Sequence, residues 1–235
     1  MTIREWISFS RQKLKSAGIS NYLQETDWIW EKFSGFKKSE QILNPQKSLD
    51  EKVLTKLNST IEKRSKRYPL QYILNRADFY RLSFFVDESV LIPRPETEEL
   101  VKWGIKNLKK SAKILDIGTG SGCIPIALKY HRPDLNVFAL DISETALKTA
   151  QKNEDRILKQ KSIQWQSSNL FSGLKEKNFD AVFSNPPYLS EGEMHKIEPE
   201  LTFEPRSALC AKEEGLFCYR EIARQAGDFL KPGGF

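Results

Sequence analysis

The sequence predicts an α/β protein: an open, mostly parallel sheet in the C-terminal part, preceded by a small helical bundle and a β-hairpin linker. Three observations carry this. From Lys113 onward, short apolar strands alternate with amphipathic helices of roughly 10–15 residues, the pattern of right-handed βαβ units. The first 68 residues show helical periodicity and capping signals without strand patterning. Between them, residues 69–93 are rich in aromatic and β-branched side chains separated by turn residues.

The 235 residues make one or two domains at roughly 150 residues each, enough to bury a core without disulfide or metal staples. Lys+Arg 37 against Asp+Glu 31 leaves a net charge of +6, with 29% charged and 39% hydrophobic residues, which describes a globular rather than a disordered chain. The mild basic excess fits either an RNA-rich partner or a plain solvated surface. No apolar run approaches the ~18 residues needed to span a bilayer, and residues 1–20 contain no apolar core of a secretory signal. Cys123, Cys210 and Cys218 lack metal-ligand spacing and read as reduced thiols, so a cytoplasmic protein without a metal site is expected. His131 and His195 have no motif around them and read as structural or solvated. A membrane protein, a secreted disulfide scaffold and a fibrous chain are excluded.

Thr2-Ile-Arg-Glu5 fits a capping box, followed by Trp6, Phe9 and Leu14 at helical spacing, and Gly18 ends that helix. Ser20 or Asn21 starts another, carrying Leu23, Trp28, Ile29 and Phe33. Ser48-Leu-Asp-Glu51 reads as a second capping box ahead of Val53, Leu54, Leu57 and Ile61; residues 63–67 are strongly basic and Pro69 breaks the pattern. Tyr72, Ile73 and Leu74, then Phe79, Tyr80, Phe84, Phe85 and Val86, are strand formers. After Pro93 and Pro95, Glu96 or Thr97 opens a helix through Leu108. Strands follow at 113–116, 136–140, 162–165 and 180–184, with helices after Gly122 and Ser143 and near 216–230. The expected division is residues 1–68, a hairpin linker at 69–93, and an α/β domain from 94 to 235.

Chemistry concentrates where strands end. Asp116-Ile-Gly-Thr-Gly-Ser-Gly122 is a strand-to-helix turn whose glycines permit positive φ and close backbone approach to a ligand. Cys123 stands where a dinucleotide fingerprint has its third glycine. The next strand ends at Asp141, placed to accept hydrogen bonds from ribose hydroxyls or, alternatively, to cap a helix beside Ser143. The last strand ends in Ser184-Asn185-Pro186-Pro187-Tyr188. Two prolines fix φ and remove two N–H donors, so the Asn185 side chain and neighbouring carbonyls become rigid acceptors beside the Tyr188 ring. That arrangement suits a planar NH2 group whose hydrogens are held and whose plane is stacked.

Asp-Ile-Gly-Thr-Gly-Ser-Gly, Asp141 and Asn-Pro-Pro-Tyr resemble class I S-adenosylmethionine-dependent methyltransferases, with their Rossmann-like sheet. Leu91-Ile-Pro-Arg-Pro-Glu-Thr-Glu98 and Pro69-Leu-Gln-Tyr-Ile-Leu74, with Glu204-Pro-Arg-Ser-Ala-Leu209 and Glu214-Gly-Leu-Phe-Cys-Tyr-Arg220, narrow the resemblance to the peptide-chain release factor glutamine N5-methyltransferases (the PrmC/HemK family). The resemblance implies methyl transfer from S-adenosylmethionine to the glutamine amide in the Gly-Gly-Gln motif of class 1 release factors, by a monomer that binds neither nucleic acid nor membrane. It implies that Gly118, Thr119, Gly120, Ser121 and Gly122 cradle the cofactor, that Asp141 holds its ribose, and that Asn169 and Leu170 flank its adenine. Asn185, Pro186 and Tyr188 become the catalytic residues. Asn185 also touches the cofactor, and Pro187 joins these three in binding substrate. The helical module is implied to recognise substrate. Departures from the family pattern are Asn169 for Asp, Leu170 for an aromatic, and Asn75 and Arg81 for glycines; Arg81 predicts a locally altered hairpin. The resemblance also implies further C-terminal strands, so the sheet is expected to be incomplete at Phe235. The alternatives are an adenine-N6 DNA or RNA methyltransferase using the same Asn-Pro-Pro-Tyr logic, a non-catalytic module binding cofactor or release factor, and an NAD oxidoreductase.

Overall fold

The computed structural model describes residues 1–235. They form two compact units, Met1–Leu74 with Pro199–Phe203, and Asn75–Glu198 with Glu204–Phe235.

In the first unit, Thr2 closes a capping box on α1 (Ile3–Ser16): its Oγ1 accepts the Glu5 N–H, and the Glu5 carboxylate accepts the Thr2 N–H at 2.8 Å. α2 (Tyr22–Ser34), α3 (Glu40–Leu43) and α4 (Glu51–Ser65) follow. The second capping box does not form as the sequence suggests. Ser48 pairs with Thr2 in an antiparallel bridge, and Asp50 caps α4 instead, accepting the Lys52 N–H at 2.9 Å. Trp6 and Trp30 meet at 5.8 Å in a core with Ile3, Leu14, Ile29, Leu57 and Ile61, all fully buried. Burying each contributes about 1.5–3 kcal/mol. From the basic stretch, the Arg64 guanidinium pairs with the buried Glu25 carboxylate and with Glu200, which also pairs with Arg67.

Residues 70–74 depart from the strand expectation and form α5 (Leu70–Leu74). Pro69 presets the helical φ, its carbonyl accepts the Ile73 N–H at 3.1 Å, and Leu70 joins the helical core, so packing overrides the β propensity of Tyr72 and Ile73.

The second unit opens with the hairpin β1 (Ala77–Phe79) and β2 (Leu82–Phe84). Phe79 pairs with Leu82, leaving a two-residue turn of Tyr80 (φ +47) and Arg81 (φ +61). Arg81 takes the left-handed conformation there, at a cost of about 1–2 kcal/mol. Tyr80 anchors the turn, donating its N–H to Glu98 at 2.8 Å and setting its ring edge-on to His131.

α6 (Glu98–Asn107), β3 (Lys113–Ile117), α7 (Cys123–His131), β4 (Asn136–Asp141), α8 (Glu144–Ile157), β5 (Ile163–Ser167) and β6 (Ala181–Ser184) build a four-stranded sheet in the order β5-β4-β3-β6, every pair parallel. Successive strand residues point to opposite faces, so Ile114, Val137 and Ala139 pack with Val101 and Leu128, while Leu115, Phe138 and Leu140 pack with Phe171 and Phe179. α9 (Arg206–Leu209) and α10 (Phe217–Ala226) complete the unit, and Ile222 and Ala226 lie against the second face. Phe235 lies along the outer edge of β6, accepting the Val182 N–H at 2.8 Å. No helix is long and apolar enough to cross a membrane.

Candidate active site

The carboxyl ends of parallel strands are where open α/β sheets bind ligands, and β3 and β6 converge there. β3 runs directly into the glycine turn, where Gly118, Gly120 and Gly122 take φ of +71, +54 and +78. Their surroundings differ. A Cβ on Gly118 or Gly120 would meet nothing within 4 Å, whereas one on Gly122 would meet Ile126, Ala150 and Trp165 at 2.9–3.1 Å. The first two glycines leave room for a ligand; the third lets α7 pack.

Asp141 is not the helix cap. Ser143 caps α8, accepting the Ala146 N–H at 3.2 Å. Asp141 ties two loops together, accepting the Gly120 N–H at 2.8 Å on one oxygen and the Ser143 N–H at 2.9 Å on the other. Burial pushes its carboxyl up from the ordinary range, opposed by these N–H donors. A carboxylate has about four acceptor positions, so hydroxyl groups can still be received.

Asp116, the last polar residue of β3, joins the site although local patterning assigns it no role. It is 1% exposed, and neither of its carboxylate oxygens has a hydrogen-bond partner; the buried Thr119 hydroxyl beside it has none either. Burial pushes Asp116 up to about 7, and the charge of Asp141 adds to the rise. An unpaired carboxyl buried under a glycine cradle is costly by itself and complementary to a cation. An acid next to last in a largely apolar strand, two residues before the first glycine, is the signal in the sequence.

Asn153, fully buried on α8, supports the turn. Its amide nitrogen donates to the Ser121 and Phe85 carbonyls, both at 2.9 Å, and its oxygen accepts the Phe85 N–H at 2.7 Å. Nothing local in the sequence marks it, because its partners lie 32 and 68 residues away.

At the tip of β6, the Ser184 hydroxyl donates to the Ile117 carbonyl at 2.7 Å, joining the ends of β6 and β3. Asn185 donates its amide to Thr97 Oγ1 at 3.0 Å. Pro186 is buried, Pro187 half-buried, and the Tyr188 side chain is 55% exposed. The backbone beyond is clamped: Tyr188 and Leu189 donate to the Leu209 carbonyl, and Leu189 accepts the Ala211 N–H. Gly215 (φ +85) lies so close that a Cβ there would fall 2.0 Å from the Tyr188 carbonyl oxygen. Glu204 braces the Pro-Arg-Pro segment, accepting the Ile92 N–H at 3.0 Å and the Arg94 guanidinium at 2.8 Å.

Residues 118–121 and Asn185 line one cleft together with Leu91, Pro93, Arg94, Thr97, Cys123 and Ile124. Gly122, Asp141, Asn169, Leu170, Pro186, Pro187 and Tyr188 do not line it; Pro186 lines a separate, largely apolar pocket with Val182, Tyr219 and Ile222. Asn169 is exposed after β5, and Leu170 (φ +51) packs against the core of the second face.

Comparison with known proteins agrees with this geometry. Residues 100–215 match the methyltransferase small domain, and residues 5–74 match the PrmC N-terminal domain. The catalytic domain of hMettl16, solved in complex with the MAT2A 3′UTR hairpin 6, superposes with a TM-score of 0.52 at 19% identity, covering 72% of this chain and 63% of that one, a likeness of fold alone. Fold and site together define a class I, S-adenosylmethionine-dependent methyltransferase. The release factor glutamine methyltransferase of Geobacter sulfurreducens is 36% identical over 235 residues, covering this whole chain and 82% of the relative. That of Flavobacterium psychrophilum is 41% identical over 214 residues, covering 88% of this chain and 74% of the relative. The chain belongs to the release factor glutamine methyltransferase family.

Proposed function

We propose that this protein methylates the side-chain amide N5 of the glutamine in the Gly-Gly-Gln motif of class 1 peptide-chain release factors, acting in the cytoplasm as a monomer. The observation that carries the reading is the shared cleft: the acceptor-bearing Asn185 and the open glycine turn face one space.

The residues present fit S-adenosylmethionine. Its α-ammonium suits the orphaned Asp116 carboxylate and Thr119 hydroxyl; its carboxylate end suits the turn at 118–121 and the start of α7; its ribose hydroxyls suit Asp141. Asn169 and Leu170 stand after β5, on the side proposed for the adenine. When bound, the cofactor supplies an electrophilic sulfonium methyl. Asn185 Oδ1 and the Pro186 carbonyl would take the two hydrogens of the glutamine amide, while Tyr188 and Pro187 wall its plane. This holds the nitrogen in line with the methyl and stabilises the charge that grows on it. No strong base is needed. Cys123 in the cleft is pushed up to about 12, mainly by burial and further by the Asp116 charge, so it stays a thiol at neutral pH. The proton therefore passes to water after the methyl has transferred.

Incubating the chain with labelled S-adenosylmethionine and a release factor tests the reading. Label is expected on the release factor and is lost when its Gly-Gly-Gln glutamine is changed to alanine. Label on nucleic acid would favour the adenine-N6 alternative, and cofactor binding without transfer would favour a non-catalytic module.

A further inference from the structure

We infer that Thr97 is a positioning residue for methyl transfer, anchoring the Asn185 carboxamide beside the acceptor; this rests on the role proposed above for Asn185. An asparagine side chain is nearly symmetric in shape, and turning it by half a revolution exchanges an acceptor for a donor pair. Only the oxygen end can receive the N–H of a substrate amide, so the carboxamide must be held beside the cleft with that end within reach. In this site a single contact anchors it; a hydroxyl both donates and accepts, so Thr97 fixes where the carboxamide sits rather than which end it shows. Asn185 Nδ2 donates to Thr97 Oγ1 at 3.0 Å, and no other side-chain hydrogen bond restrains that carboxamide. With nitrogen engaged there, Oδ1 is left to the cleft that both residues line.

Thr97 is suited to the task because it is itself fixed. It is 6% exposed, at the end of a 3₁₀ turn (Pro95–Thr97), and its N–H donates to the Arg94 carbonyl at 3.0 Å. Pro95 restricts φ at the first position of that turn, and Glu204 grips the Ile92 N–H and the Arg94 guanidinium just upstream. A hydroxyl held on a braced turn gives a tighter reference than one on a free loop.

The test compares Thr97→Val, which keeps shape and loses the hydroxyl, with Thr97→Ser, which keeps the hydroxyl, each also in an Asn185→Ala background. Thr97→Val is expected to lower kcat about tenfold while KM for the release factor and the cofactor dissociation constant stay within about twofold. Thr97→Ser is expected to recover kcat to within about threefold, and Thr97→Val to add no loss to Asn185→Ala. Three outcomes would overturn the inference: unchanged kcat in Thr97→Val, the same tenfold loss persisting without Asn185, or a loss in cofactor affinity and Tm that serine fails to rescue. If Asn185→Ala alone retains turnover, the reading of the site fails first, and that result is distinguishable from the other three.

Discussion

The glycine turn and the tip of β6 reach the same cleft by different means. The turn is written almost entirely in consecutive residues, 116–122, whose positive φ values follow from glycine itself. The tip is short and rigid through its prolines, but what aims it comes from far along the chain: Thr97 holds the Asn185 amide, residues 209–211 clamp the backbone after Tyr188, and Gly215 admits that backbone at close range. The turn also holds an unpaired buried acid, whereas the tip makes its hydrogen bonds and keeps an acceptor free. On the proposed function, the difference separates two tasks: the turn offers an unpaired acid that a cationic ligand can satisfy, and the tip holds an acceptor group in place.

The largest expected effect breaks the tip from outside. Gly215→Ala places a methyl 2.0 Å from the Tyr188 carbonyl oxygen at φ +85, so the clamp must shift. A loss of about 2–4 kcal/mol of stability and at least about a thirtyfold fall in turnover are expected. Cofactor affinity, measured by calorimetry, should change far less because residues 118–121 are not involved.

The second concerns the stored charge. Burial holds Asp116 at about 7 in the folded chain, against ~3.9 when unfolded. Its folded pKa is raised, so the folded state binds this proton more tightly. The associated stability is complete below about pH 4 and is lost as pH rises to about 7, by up to about 4 kcal/mol. Asp116→Asn should flatten that dependence, raise Tm at pH 8 and weaken cofactor binding about tenfold. Thermal melts across pH 4–8 would show it, and an unchanged pH slope would contradict the assignment.

The smallest separates two glycines of one turn. Gly122→Ala meets three side chains at 2.9–3.1 Å and should cost about 2–3 kcal/mol of stability. Gly118→Ala meets open space, so only its φ of +71 counts, about 1 kcal/mol, with the greater loss falling on cofactor affinity. Chemical denaturation beside a binding titration distinguishes them.

What the sequence makes legible follows the same division. Periodicity gives the helical unit and the four parallel strands, because hydrophobic spacing is local. The glycine turn and Asn-Pro-Pro-Tyr are readable because their conformational constraints lie in adjacent residues. Where tertiary contacts decide, sequence reading falls short. Residues 70–74 look like a strand and are drawn into a helix by the core around Leu70, Ser48 is diverted from its cap by Thr2, and Arg81 accepts left-handed strain within an anchored turn. Thr97, Asn153, Glu204 and Gly215 share this character, since each acts on a partner that sequence proximity does not reveal.

The most direct measurement is single-turnover methyl transfer by Asn185→Ala alongside its equilibrium cofactor affinity. If the carboxamide grips the acceptor nitrogen chiefly as the methyl moves, the transfer rate should fall by about a hundredfold or more while the cofactor dissociation constant stays within about threefold. Equal losses in both quantities, or transfer at the unsubstituted rate, would contradict it.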